Sequence, residues 1–160
     1  MNYDFNEFLE RFSEELVALK SDRNVYDKVR QLANLIISRS STKSLVAICG
    51  NGGSMADAMH FSAELTVRYQ RNRKPINSMA LSVDPVFSSA CSNDFGFEQI
   101  FSRNIESICR PGDILICITT SGRSKNIISA LSTAKSIDCH TVVLCGSSTH
   151  LIEDLSDLII

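Results

Sequence analysis

Apolar residues recur at helical spacing through the first forty positions. Phe5, Phe8, Leu9, Phe12, Leu16 and Leu19 form one stripe, and Val25, Val29, Leu32, Ala33 and Ile36 form another. Two amphipathic helices are therefore expected before any strand. The pattern changes at Leu45-Val46-Ala47-Ile48-Cys49, a continuous apolar run of the kind found in parallel strands buried on both faces. Ile114-Leu115-Ile116-Cys117-Ile118 repeats it, and shorter runs at 78–82, 141–145 and 157–160 complete five expected strands. Helices are expected between them: over 54–71, over 86–91, around Ile100, Phe101, Ile105 and Ile108, over 125–137 and over 148–155. Strand and helix in alternation mean an α/β fold, a five-stranded parallel sheet with helices on both faces joined by right-handed crossovers. The flavodoxin-like order 2-1-3-4-5 makes strands 1 and 3 neighbours at the switch point, where ligands bind. The expected organisation is one domain over 1–160, with helices in 1–44 and the sheet core in 45–160.

The turns after those two strands carry the candidate chemistry. Gly50-Asn51-Gly52-Gly53-Ser54 follows the first, with Ser54 at the expected N-cap of the next helix. Free N–H groups and the positive end of a helix dipole make such a turn an anion site. Met55 stands where G-x-G-x-x-G needs its third glycine, and no Gly-Lys-Ser/Thr follows, which argues against a dinucleotide and a nucleoside triphosphate. Thr119-Thr120-Ser121-Gly122-Arg123-Ser124 follows the third strand with four hydroxyls and a glycine. One such loop reads equally as a helix cap; two flanking a switch point favour a phosphate cradle. Farther along the helix from Ser54, His60, Glu64 and Arg68 share one ridge beside a core stripe of Ala58, Phe61 and Leu65. His60 and Glu64 are either a solvated pair or a metal-binding or proton-transfer pair. Ser92-Asn93-Asp94-Phe95-Gly96 reads as a polar turn.

Composition narrows the classes. Hydrophobic residues at 44%, charged residues at 21% and a net charge of −2 are ordinary globular values and give no electrostatic reason to expect nucleic acid or membrane. The basic cluster of Arg68, Arg71, Arg73 and Lys74 reads as cations complementing a helix end. Six cysteines lack C-x-x-C spacing and read as reduced small hydrophobes. The N-terminus has neither a basic nor an apolar leader region, and no apolar run approaches the roughly 18 residues of a membrane span, so a cytoplasmic protein is expected. The phenylalanine-rich first helix is more apolar than one side of a small sheet needs. It is expected to pack against another subunit, the alternative being its own sheet.

The run from Cys49 to Phe61, with Glu64-Leu65-Thr66, Arg68-Tyr69, Asn93-Asp94-Phe95-Gly96-Phe97 and Thr120-Ser121-Gly122-Arg123-Ser124, closely resembles the sedoheptulose-7-phosphate isomerase (phosphoheptose isomerase) family of sugar-isomerase (SIS) domains. The resemblance implies a SIS-type three-layer sandwich, usually a homotetramer with active sites shared between subunits, making the ADP-heptose precursor of bacterial surface polysaccharide. It implies that Ser54, Thr119, Thr120, Ser121 and Ser124 hold the sugar phosphate, and that Asn51, Gly52, Gly53, Asn93 and Asp94 line the sugar. It also implies that His60 and Glu64 are zinc ligands, Glu64 doubling as the catalytic base and contacting substrate. Thr119 departs from a serine common in the family, and Arg123 from an asparagine. A family helix beyond the fifth strand carries a Gln and a His that complete the metal and acid/base set. The sequence stops before it, so a truncated form with an incomplete zinc site is expected. The alternative function is a non-catalytic SIS protein that binds a sugar phosphate or a protein partner, as a relative binds the bacterial replication initiator.

Overall fold

The computed structural model describes residues 4–160, so Met1-Asn2-Tyr3, the start of the stretch searched for a leader, lie outside the described residues. Two helices come first, α1 (Phe5–Ser21) and α2 (Arg23–Ser40), followed by β1 (Val46–Gly50) and α3 (Gly53–Thr66). Then come β2 (Ser78–Ala80), α4 (Pro85–Phe95), a 3-10 turn over Phe97–Gln99 and α5 (Ile100–Ile108). The chain continues through β3 (Ile114–Thr119), α6 (Lys125–Ser136), β4 (His140–Cys145) and a short 3-10 turn at Glu153–Leu155 to β5 (Leu158–Ile159). The sheet has the expected order, β2-β1-β3-β4-β5, with every pair parallel.

Alternate residues of the central strands feed two cores. Val46, Ile48, Ile114, Ile116 and Val142 pack with Leu32 and Ile36 of α2 and Ala58 of α3. Ala47, Cys49, Leu115, Cys117 and Val143 pack on the opposite face with Phe101 and Ile105 of α5 and Ile127 and Leu131 of α6. Both faces are covered, which is why these strands are apolar without interruption. Asp113 ties their entry ends together, accepting from the Leu45 N–H at 2.8 Å and the Arg110 N–H at 2.7 Å. All six cysteines are free thiols. Burial, and then the neighbouring Cys49 thiol 3.5 Å away, push Cys117 well above the ordinary thiol range, so it packs as a small neutral hydrophobe.

Four local expectations need correction. Gly52, with φ of 55°, takes the N-cap of α3 in place of Ser54, because the turn requires a left-handed residue there. That helix ends at Thr66 and not at Arg71, which takes Arg68 off the ridge of His60 and Glu64. The Arg73 guanidinium reaches back to the carbonyls of Glu64 at 2.6 Å and Leu65 at 2.7 Å, satisfying acceptors that a longer helix would have used internally. Asn93 and Asp94 sit in the last turns of α4 and not in a turn: Asp84 caps that helix, Pro85 starts it, and Gly96 with φ of 91° ends it. In 148–155 the only helical piece is the 3-10 turn.

α1 stands apart. Asp4 caps it, yet none of its residues is buried. Its apolar side chains at 5, 9, 12, 16 and 19 alternate in steps of four and three, the spacing of a coiled-coil seam, and Phe12 and Leu16 are each 50% exposed. Packing on the chain's own sheet, the alternative considered from the sequence, is not what the helix does.

Candidate active site

β1 and β3 are neighbours, and Gly50 lies in register with Ile118, so the segments that follow leave the same edge of the sheet side by side. Each leads into a helix whose first turn lacks a side-chain cap. The side chains of Asp4, Asp22 and Asp84 cap α1, α2 and α4, whereas Gly52 and Ser124 at the N-caps of α3 and α6 make no such bond. First-turn N–H groups are orphans unless a side chain, water or ligand accepts from them. Two uncapped N-termini at one switch point present convergent donors and two positive dipole ends to an anion. Nothing lies within 4 Å of where a Cβ would stand at Gly52 or Gly53, so the backbone of the first turn is open to close approach.

Hydroxyls surround these donors. Ser54 is inside the first turn of α3, its N–H bonded to the Asn51 carbonyl at 3.0 Å. Thr119 closes β3, is buried, and accepts from the Gly122 N–H at 3.3 Å, while Ser121 accepts from the Arg123 N–H at 3.3 Å. Ser124, free of a capping bond, joins Thr120 and Ser121 on the loop between β3 and α6. The Asn51 side chain is paired with Asn126 of α6, Nδ2 to Oδ1 at 2.9 Å and the reverse at 2.8 Å. Asn126 escaped the sequence reading; a lone asparagine in a helix carries no periodic signal, and its partner is 75 positions away.

The acid/base pair lies farther along α3. His60 Nε2 is 3.1 Å from Glu64 Oε1, the two side chains being 75% and 33% exposed. Glu64 Oε2 is buried and has no hydrogen-bond partner. An unpaired buried carboxylate oxygen is costly, so it marks a position where a proton or a cation is expected. The pair opens on a groove of about 600 Å³ whose wall includes Phe61, Tyr69, Ile118 and Leu144. Among the described residues no three His, Cys, Asp or Glu side chains gather to hold a metal. Asp94 accepts from Asn93 Nδ2 at 2.8 Å, both exposed on α4. His140 opens β4 at the opposite end of the sheet, its Nε2 2.6 Å from Arg39 Nη2, and His150 follows β4.

Comparison with known proteins converges on one family. Residues 7–146 match the SIS domain. A phosphoheptose isomerase of Helicobacter hepaticus is 42% identical over 130 residues, covering 81% of this chain and 66% of the relative. One from a Nitratiruptor species is 39% identical over 154 residues, covering 93% and 82%. The chain belongs to the phosphoheptose isomerase family of SIS domains. The structure of the phosphoheptose isomerase of Neisseria gonorrhoeae superposes with a TM-score of 0.85 at 31% identity, over 96% of this chain and 83% of that one. As a SIS domain the fold has its two hydroxyl-bearing loops where the strand order reverses, and by family the chain is a sugar-phosphate isomerase. Among the described residues no helix is long and apolar enough to cross a membrane.

Proposed function

We propose that this SIS domain interconverts sedoheptulose 7-phosphate and D-glycero-D-manno-heptose 7-phosphate, the step that feeds ADP-heptose synthesis for surface polysaccharide. The observation that carries this reading is the pair of helix N-termini without side-chain caps at one switch point, one of them opening the helix that bears an unpartnered carboxylate oxygen. The first-turn N–H groups of the two helices that are not already donating to backbone carbonyls, with the hydroxyls of Ser54, Thr119, Thr120, Ser121 and Ser124, are the phosphate-binding set, and Asn51, Gly52, Gly53, Asn93 and Asp94 line the sugar. Glu64 is the base. It takes a proton from C1 of the ketose and returns it to C2, while the hydroxyl proton passes from O1 to O2, giving the aldose.

His60 and Glu64 fit part of a zinc site. Their donor atoms are adjacent, and a cation would satisfy Glu64 Oε2. When bound, zinc would supply Lewis-acid stabilisation to the enediolate oxygen. A catalytic zinc usually has three protein ligands, and these residues supply two. That shortfall is the observation favouring a second reading, a SIS protein that binds a sugar phosphate or a protein partner without turning it over.

The site reads as shared between copies of the chain, in a homotetramer. From Ser54 to Glu64 α3 advances about 15 Å, at roughly 1.5 Å per residue. An extended heptulose 7-phosphate spans only about 10 Å from phosphorus to C1, the carbon that gives up its proton, at roughly 1.3 Å of advance per bond. A carboxylate from a neighbouring copy closes the gap, and the apolar seam of α1 supports such association. The test is isomerisation of sedoheptulose 7-phosphate with zinc supplied, comparing wild type with Glu64→Gln. Turnover should fall at least about a hundredfold while ligand still binds. A Glu64→Gln enzyme within a few-fold of wild type refutes the base assignment, and an inert wild type that still binds ligand favours the second reading.

A further inference from the structure

Asn126 is a fully amidated, uncharged side chain only 2% exposed, in the first turn of α6, and its head group is engaged across the switch point. It donates from Nδ2 to Asn51 Oδ1 at 2.8 Å and accepts from Asn51 Nδ2 at 2.9 Å. The two carboxamides form a closed ring of two hydrogen bonds, each giving one donor and one acceptor. A primary amide is one of the few side chains that can do both from one planar head; a carboxylate can only accept. The ring joins the two segments that carry the anion-binding groups. Asn51 directly precedes Gly52 and Gly53 and its carbonyl accepts from the Ser54 N–H, while Asn126 follows Ser124 by two positions.

We propose that Asn126 is a positioning residue that sets the separation of the two phosphate loops, acting through Asn51 and not by touching the ligand. The proposal rests on the phosphate reading above. One phosphate must meet N–H and O–H donors from both loops within about 2.7–2.9 Å, and donors already in place need no reorganisation when it arrives. The first loop runs between β1 and α3, and the second between β3 and α6 with its backbone against the loop after β4. The amide ring couples them at the level of the donors themselves, with the Asn126 head group almost wholly buried at its α6 end.

The experiment is a double-mutant cycle on the whole chain. Wild type, Asn51→Ala, Asn126→Ala and the double variant are titrated calorimetrically with sedoheptulose 7-phosphate and with inorganic phosphate, and the melting temperature of each is recorded. Each single variant should weaken binding at least about tenfold, the equivalent of one or two hydrogen bonds. The double variant should be no more than about threefold weaker than the worse single one, because the second change removes a partner already lost. Asn51 is only partly buried, so if the buried Asn126→Ala fails to fold, Asn51→Ala carries the test through inorganic phosphate, a ligand without the sugar that Asn51 also lines. The ³¹P resonance of ligand bound at saturation adds a signature that general loosening would not produce: it should move toward the free position in Asn51→Ala. Full affinity in Asn51→Ala, an unmoved ³¹P resonance, or losses that multiply in the double variant would each overturn the positioning role. A wild type that binds neither ligand would overturn the phosphate reading and this proposal with it, whereas a wild type that binds beside an additive cycle would overturn only the role of Asn126.

Discussion

Gly122 is where the second loop is most sensitive to a single methyl. Its φ is 62°, and a Cβ built there would stand 2.1 Å from the Ser148 carbonyl oxygen. The contact is backbone to backbone, since a Cβ at Gly146 would in turn meet the Thr120 carbonyl at 2.6 Å. The loops after β3 and β4 thus lie backbone against backbone here, with Cys145 Sγ also 3.3 Å from the Gly122 Cβ position. In Gly122→Ala the left-handed conformation costs about 1–2 kcal/mol. To reach ordinary contact distance the Ser148 carbonyl must also retreat by roughly 1 Å, and overpacking of that kind costs about 1–3 kcal/mol. The sum, about 2–5 kcal/mol, is a large share of the roughly 5–15 kcal/mol that holds a domain folded. Urea unfolding followed by circular dichroism reads it, with a melting temperature lower by roughly 5–15 °C for a chain of this size. Gly53→Ala is the contrast. Its φ is not left-handed and no atom waits for its methyl, so stability should hold while the methyl intrudes where the ligand approaches, and sugar-phosphate affinity should fall at least about tenfold. A Gly122→Ala chain within about 0.5 kcal/mol of wild type, the size of an ordinary surface change, refutes the packing argument. A Gly53→Ala chain with full affinity removes the ligand from the first turn.

Much of this was legible from residue pattern alone, and the reasons are physical. β1 is apolar throughout and β3 from Ile114 to Ile118 because both faces are covered, so the buried parallel strands and their order are legible in the sequence. Asp84-Pro85 marks the start of α4, but its end is hidden in residue type: Asn93 and Asp94 are common turn residues, and only Gly96 stops the helix. Residue type points to Ser54 as the cap of α3, yet φ of 55° at Gly52 decides it, and a dihedral angle leaves no trace in hydropathy. Likewise the early end of α3 depends on Arg73 folding back onto the carbonyls of Glu64 and Leu65, contacts made over nine and eight positions. The least visible element was the Asn51–Asn126 ring, which exists only because the switch point brings two distant segments together. Local rules located the donors and hydroxyls; long-range pairing sets their spacing.

Two further outcomes follow from the shared-site reading. Phe12→Asp/Leu16→Asp should dissociate the assembly, because each side chain buried against a partner is worth about 1.5–3 kcal/mol and losing two weakens association by at least about a hundredfold. Sedimentation velocity at micromolar concentration reads the shift, and an unchanged oligomer would mean that α1 faces solvent or some other partner. The second outcome concerns which copy supplies which half of the chemistry. Glu64→Gln spoils the base, Ser121→Ala/Ser124→Ala spoils the phosphate loop, and each variant alone should be nearly inactive. If a site takes its loop from one copy and its carboxylate from another, an equal mixture allowed to exchange subunits contains intact sites. Random assortment makes about a quarter of them whole, since each half is wild type with even odds. Turnover of the mixture should therefore rise to roughly a quarter of the wild-type value per site. If both halves came from one chain, every site would carry one defect or the other whatever the mixing, so a mixture that exchanges subunits yet stays inactive refutes the shared site and requires the sugar to reach Glu64 along its own helix.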